Sequence, residues 1–250
     1  MRTRVRGNIG LSRGKIFDEE LLLHQVNEKV VRCKLCPRLI RYIGEIGKTK
    51  TKKFKNHDYW AKPLPTFGDP KAKLLVIGLA PAAHGGNRTG RIFTGDSSGD
   101  WLVRALFETG FANKPISVSR DDGLILNDAY LTAAIRCAPP LNKPAQSEIS
   151  NCSQYLLAQT RILRTTKVIL ALGKIAFDAY CNVCNIKGLK FGHHKIYSIY
   201  DDKTLIASYH PSRRNTNTRT LTWQMWIDVF KTARSIIDRQ AKFDDKFDSF

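Results

Sequence analysis

KLLVIGLAPAAHGGNRTGRIFTGD, residues 73–96, passes from an unbroken apolar run into a loop (79–96) with four glycines, one histidine and two arginines. The run does not alternate apolar with polar residues, so it reads as a strand covered on both faces, as parallel strands are. The glycines would let the backbone wrap closely around a phosphate, a flat ring, or both. The loop matches neither G-x-x-x-x-G-K-[ST] nor G-x-G-x-x-G, which sets aside the common nucleotide-binding loops. What remains is a tight turn at Ala80 and Pro81, the basic side chains of Arg88 and Arg91, the aromatic Phe93 and the carboxylate of Asp96. A flat ring could stack on Phe93 while the turn reads its edge; the plain alternative places Phe93 in the core.

Three more apolar runs of strand length follow: AYLTAAIR (129–136), KVILALG (167–173) and TLIASYH (204–210). Helical patterns lie between and around them, at 97–110, 147–163, 173–184 and 221–240, with an earlier one at 17–32. In the last, Trp223, Trp226, Ile227 and Phe230 recur at helical spacing and read as core. Strand and helix alternate, so the expected fold class is α/β: a three-layer α/β/α arrangement around a four-stranded, mostly parallel sheet. Residues 1–16 read as a basic N-terminal arm and 17–250 as a single domain. GKTKTKKFKN (47–56) is a basic loop with one aromatic, equally readable as a solvated turn.

Charge narrows the partner. The 41 Lys and Arg against 22 Asp and Glu leave +19, which favours a polyanion, either nucleic acid or an anionic membrane surface. No apolar stretch approaches the ~20 residues needed to span a bilayer, and the start lacks the apolar core of a signal peptide. The chain is therefore expected in the cytoplasm, where its six cysteines would be ligands or buried thiols rather than disulfides.

Ligands of an open parallel sheet bind beyond the carboxyl ends of its strands. The fourth run ends there in His210, followed by PSRRNTNTRT (211–220). Pro211 stiffens the turn, and Ser212 could cap a short helix or hold a phosphate. Arg213, Arg214 and Asn215 begin a dense array of donors. The second run ends in CAPPLNKP (137–144), which offers Asn142; Asn127 lies at the wrong end. Cys33 and Cys36, in CKLCPR, form a strong ligand signal whose partners stay open. Cys181 and Cys184 would complete a four-thiolate zinc pattern, and Cys137 with Cys152 is the other pair.

GLAPAAHGGNRTGRIFTGD together with HPSRRNTNTRT resembles the uracil-DNA glycosylase superfamily, and within it family 5, the type B thermophilic enzymes that carry an iron–sulfur cluster. Family 4 is the near alternative, but its acidic residue after the first glycine is replaced by Leu79. The resemblance implies a monofunctional DNA repair enzyme that flips uracil, or other deaminated bases, out of DNA and hydrolyses the N-glycosidic bond. It implies that Ala80, Pro81 and Phe93 hold the base, and that His210 donates to it as negative charge grows. Asp96, with Asn142 as second candidate, would activate water, because the first motif has apolar Leu79 and Ala80 where other branches carry Asp or Asn. Arg88, Arg91, Ser212, Arg213, Arg214 and Asn215 would bind DNA. The resemblance also implies a structural [4Fe–4S] cluster on Cys33, Cys36, Cys137 and Cys152. Cys181 and Cys184 would then be buried thiols, or a local disulfide if the source is a hyperthermophile. Uracil-containing DNA is the expected partner of a prokaryotic, nucleoid-associated monomer, with a sliding clamp as a further candidate. The rival reading is a nucleic-acid-binding iron–sulfur protein without catalysis.

Overall fold

Six strands form one sheet: β1 (Phe67–Gly68), β2 (Leu74–Gly78), β3 (Ala129–Ala133), β4 (Val168–Leu172), β5 (Lys195–Ser198) and β6 (Thr204–Ser208). The computed structural model describes residues 18–247, so the basic arm expected over 1–16 lies outside the described residues. The strand order is β1-β3-β2-β4-β6-β5. The inner four are parallel and match the four apolar runs, each trimmed by up to three residues at its ends. The expected four strands are thus corrected to six. β1 pairs antiparallel with β3, and β5 antiparallel with β6. Both edges escape a reading of apolar runs: β1 is two residues long, and β5 exposes Lys195, Ile196 and Ser198.

Every residue of β2, β3 and β4 is buried, which explains the missing alternation. Successive side chains still point to opposite faces. Leu74, Val76, Leu170 and Leu172 pack toward α4 (Ser97–Glu108) and α8 (Trp223–Phe247). Leu75, Ile77, Ile169 and Ala171 pack toward α1 (Glu19–Val31), α2 (Pro37–Thr49), α5 (Gln146–Ile162) and α6 (Lys174–Val183). α1 begins at Asp18, whose carboxylate accepts from the Leu21 amide at 3.0 Å. Pro37 opens α2, and Leu39 and Ile43 bury its inner stripe one turn apart. In α8, Trp226, Phe230 and Ile227 are core as expected. Trp223 is half-buried, edge-on to Trp101 at 5.4 Å. Two one-turn helices, α3 (Gly86–Thr89) and α7 (Arg213–Asn217), sit in the loops after β2 and β6.

The chain leaves β2, pairs β3 on one side, then returns to place β4 on the other. The order reverses between β2 and β4, and in open parallel sheets ligands bind beyond the carboxyl ends at such a point.

Candidate active site

The loop after β2 folds back on its own strand. Phe93 takes a left-handed backbone (φ 52) and lays its ring over Gly78, where any side chain would run into the ring tip. The ring is buried and belongs to the core on the α4 side. Ala80 stays half-exposed beside the buried Pro81.

Asp96 ends this loop and caps α4. Its Oδ1 accepts from the amides of Ser98 at 3.0 Å and Gly99 at 3.1 Å. Oδ2 accepts no hydrogen bond among the described residues and faces Gly85, where a Cβ would collide with it. Burial raises the carboxyl's pKa, the two cap amides and then the Arg213 charge pulling the other way. The glycines of this loop therefore serve a purpose other than the one expected. The room they leave is taken by the protein's own side chains, Asp96 at Gly85 among them, rather than kept for a ligand.

The turn after β6 meets α4 from across the sheet. Ser98 Oγ donates to the Pro211 carbonyl at 3.0 Å, and Arg213 Nε donates to Ser97 Oγ at 3.3 Å. His210 stands half-buried beside Gly173, the residue just past β4. Burial pushes its pKa down to about 4, so the imidazole is neutral near pH 7. Ser212 caps α7 by accepting from the Asn215 amide, and Asn215 Nδ2 donates to the His210 carbonyl at 2.8 Å. Asn215 thus positions the histidine, where the sequence suggested a DNA contact. Of the expected DNA ligands, Arg213 and Arg214 remain exposed.

Arg88 and Arg91 are corrected as DNA contacts, because both guanidinium groups are spent inside the protein. Arg88 Nε donates to the His84 carbonyl at 2.9 Å and Nη2 to the Gly95 carbonyl at 3.3 Å, closing the loop across its ends. Arg91 donates to Ser117 Oγ and Asp122 Oδ2, both at 2.7 Å, and to Thr94 Oγ1 at 3.0 Å. The Arg91 and Asp122 side chains are 3% and 6% exposed. The Arg91 guanidinium and three backbone amides hold the Asp122 carboxyl well below the usual carboxylate range, against the opposing pull of burial. Removing one partner of such a pair leaves a buried charge, so Asp122→Ala should cost about 3–5 kcal/mol in denaturant unfolding. With the folded pKa depressed, this contribution is present above the unfolded value of about 3.9 and disappears as pH falls below it.

Asn142 lies on the exposed loop after β3, left-handed at φ 56, and the structure brings it into no hydrogen bond with Asp96 or His210. His193 is a residue the sequence did not mark. Its Nδ1 accepts from the Tyr209 amide at 3.2 Å, and its ring stacks on Tyr209 at 5.1 Å, fixing the approach to His210. No motif pointed to it, since it arrives from the neighbouring loop before β5.

The cysteines fall into two groups. Cys137 and Cys152 are buried, Cys36 nearly so, and Cys33 is half-exposed. The Cys137 thiol is pushed up by burial and then by the charges of Cys152, Cys33 and Cys36, so the four share one neighbourhood. Cys181 and Cys184 lie at the end of α6, and after burial the charges that raise the Cys181 thiol are those of Asp178 and Cys184. Among the described residues, no group of three or more His, Cys, Asp or Glu side chains is placed to hold a metal ion.

A parallel α/β sheet with a histidine turn and a glycine-rich loop joined over its carboxyl edge defines a class, and comparison with known proteins places the chain in it. The model of the uracil DNA glycosylase superfamily matches residues 65–232, and the chain belongs to that superfamily. It stands with the type-5 branch. It is 43% identical over 211 residues to the type-5 uracil-DNA glycosylase of Thermus thermophilus, covering 84% of this chain and 95% of the relative. With the type-5 uracil-DNA glycosylase of Pyrobaculum aerophilum it shares 41% over 205 residues, 82% and 89% of the two chains. A type-4 uracil-DNA glycosylase from the same organism shares 26% over 197 residues, 76% and 83%.

Proposed function

We propose that this protein is a uracil-DNA glycosylase, which flips uracil from DNA and hydrolyses its N-glycosidic bond to leave an abasic site. The observation that carries this reading is the junction of the two strand-end turns. Ser98 and Arg213 tie the loop ending in Asp96 to the turn holding His210. In this reading the base lies over the Ala80–Pro81 turn with Phe93 beneath it. As the bond breaks, the base leaves with negative charge and the sugar gains positive charge. A neutral His210 donates its N–H to the uracil O2, a bond that strengthens as the anion forms. The Oδ2 of Asp96, which accepts no hydrogen bond among the described residues, takes a proton from water attacking the sugar, and its raised pKa makes it a better base than an ordinary carboxylate. Arg213 and Arg214 are left to bind the phosphates beside the flipped nucleotide. No helix among the described residues is long and apolar enough to cross a membrane, and +19 suits the nucleic acid. The test is a uracil-containing duplex: strand breaks at the uracil should appear only after alkali. Their absence with binding intact would leave the non-catalytic reading.

A [4Fe–4S] cluster belongs to the same proposal, and the residues present fit it. Arg136 is 2% exposed, has no carboxylate partner among the described residues, and leaves Nη1 without a hydrogen bond. Cys152 and Cys137 are among the groups that act on its guanidinium, and four thiolates would supply the negative charge that such a buried cation needs. Cys33, Cys36, Cys137 and Cys152 would hold the cluster, and it would pin the α1–α2 segment to the loop after β3. Base hydrolysis moves no electrons, so its part is structural. Purified protein should carry about four irons, and Cys137→Ala should lose the iron and the brown colour and melt at lower temperature. Wild-type protein prepared without air yet free of iron would contradict the assignment.

A further inference from the structure

The basic stretch KTKKFKNHDYWAK (50–62) carries five lysines against one carboxylate and plays no part in the site described above. It is strapped onto the glycine-rich loop rather than standing free in solvent. Phe54 lies under the Arg88 guanidinium at 4.0 Å, and His57 Nδ1 pairs with Arg88 Nη1 at 3.3 Å. The Tyr59 hydroxyl pairs with His84 Nδ1 at 2.9 Å. The amides of Trp60 and Ala61 donate to the carbonyls of Arg88 and Asn87, both at 3.1 Å. Aromatic residues and backbone thus do the anchoring, while Lys52, Lys53 and Lys55 stay exposed. Burial raises the pKa of the Asp100 carboxyl, in the first turn of α4 just past Asp96, and the Lys53 charge pulls it the other way.

We propose that residues 50–62 form a preformed wall along the glycine-rich loop that grips the phosphates of the DNA strand entering the site, with Lys52, Lys53 and Lys55 as the contacts. This rests on the DNA-binding reading above. A phosphate-tracking surface needs donors held at fixed points but not neutralised by their own protein. Arg88, by contrast, spends its donors on the carbonyls of its own loop, and it is the cation that ties the wall down. The inference also accounts for a net charge that Arg213 and Arg214 alone leave largely unexplained.

The experiment measures the dissociation constant for an undamaged duplex across a salt series, using full-length protein and a variant with Lys52, Lys53 and Lys55 changed to Gln. Removing one lysine–phosphate pairing lowers the slope of log K against log salt by about 0.9, so the triple variant should show a slope shallower by roughly 2 to 3. Its single-turnover base release at saturating protein should stay within about twofold of wild type, because a contact that serves binding alone is made up for at saturation. A control changes Lys71 and Lys231 to Gln, exposed residues before β2 and on α8, and its slope should stay near that of wild type. An unchanged slope in the triple variant, or an equal change in the control, would overturn the wall while leaving the glycosylase reading intact. Failure of the wild-type protein to bind duplex at all would overturn both.

Discussion

His210→Ala should lower single-turnover uracil release by about 10²–10³-fold with duplex binding changed only a few-fold, the loss typical of one donor aimed at a developing anion. The expectation follows from where the ring sits. It follows β6 by two residues, abuts Gly173 just past β4, and is held through its own carbonyl by Asn215. Because burial pushes its pKa down to about 4, it works as a neutral donor and not as a cation. The rate should therefore show no inflection near pH 6.5, where an ordinary histidine titrates. The folded pKa lies below the unfolded one, so the unfolded chain takes up the proton first. The stability contributed by the neutral ring is complete above about pH 6.5 and is lost as pH falls toward 4. In His210→Ala that dependence should vanish. His210→Asn, which keeps an N–H donor, should recover part of the rate; full activity in His210→Ala would remove the histidine from the mechanism.

Asp96→Asn should reduce the same rate by about 10²–10⁴-fold, the range for a positioned general base. The asparagine matters because Asp96 has two jobs on its two oxygens. An amide oxygen can still cap α4, so the melting temperature should hold, whereas Asp96→Ala adds a cap loss of about 1 kcal/mol. Wild-type activity should fall on the acid side with a midpoint above the ordinary aspartate value of about 3.9, since burial raises this carboxyl and only its ionised form accepts a proton. In Asp96→Asn that acid limb should be absent. Gly85→Ala gives an independent view of the same oxygen. Its methyl would press Oδ2 out of place and should slow release by about 10- to 100-fold without removing a charge. If Asp96→Asn releases uracil at the wild-type rate, water is activated elsewhere and His210 with backbone donors must suffice.

The inner sheet was readable because its strands are buried on both faces, which writes them as continuous apolar runs. That His210 and Asp96 lie on the carboxyl side of the sheet was legible from their places after such runs, the side on which ligands of open parallel sheets bind. The edge strands and α2 lacked that signature. β5 shows water most of its side chains, and α2 begins within the cysteine motif, which drew attention to ligands and away from helix. The arginines misled for a different reason. Sequence shows that a guanidinium is present but not where five bonds ahead it ends, and Arg88 and Arg91 end on carbonyls, hydroxyls and Asp122. The lysine-rich stretch erred the other way: nothing local distinguishes a solvated turn from one strapped beside the site by Phe54 and Tyr59.

Quantifying free base by mass spectrometry, after excess protein meets a duplex with a single uracil, tests the central claim most directly. The account predicts one uracil released per duplex, an otherwise intact strand, and release that depends on His210. A duplex held by the protein with its uracil still attached would contradict it.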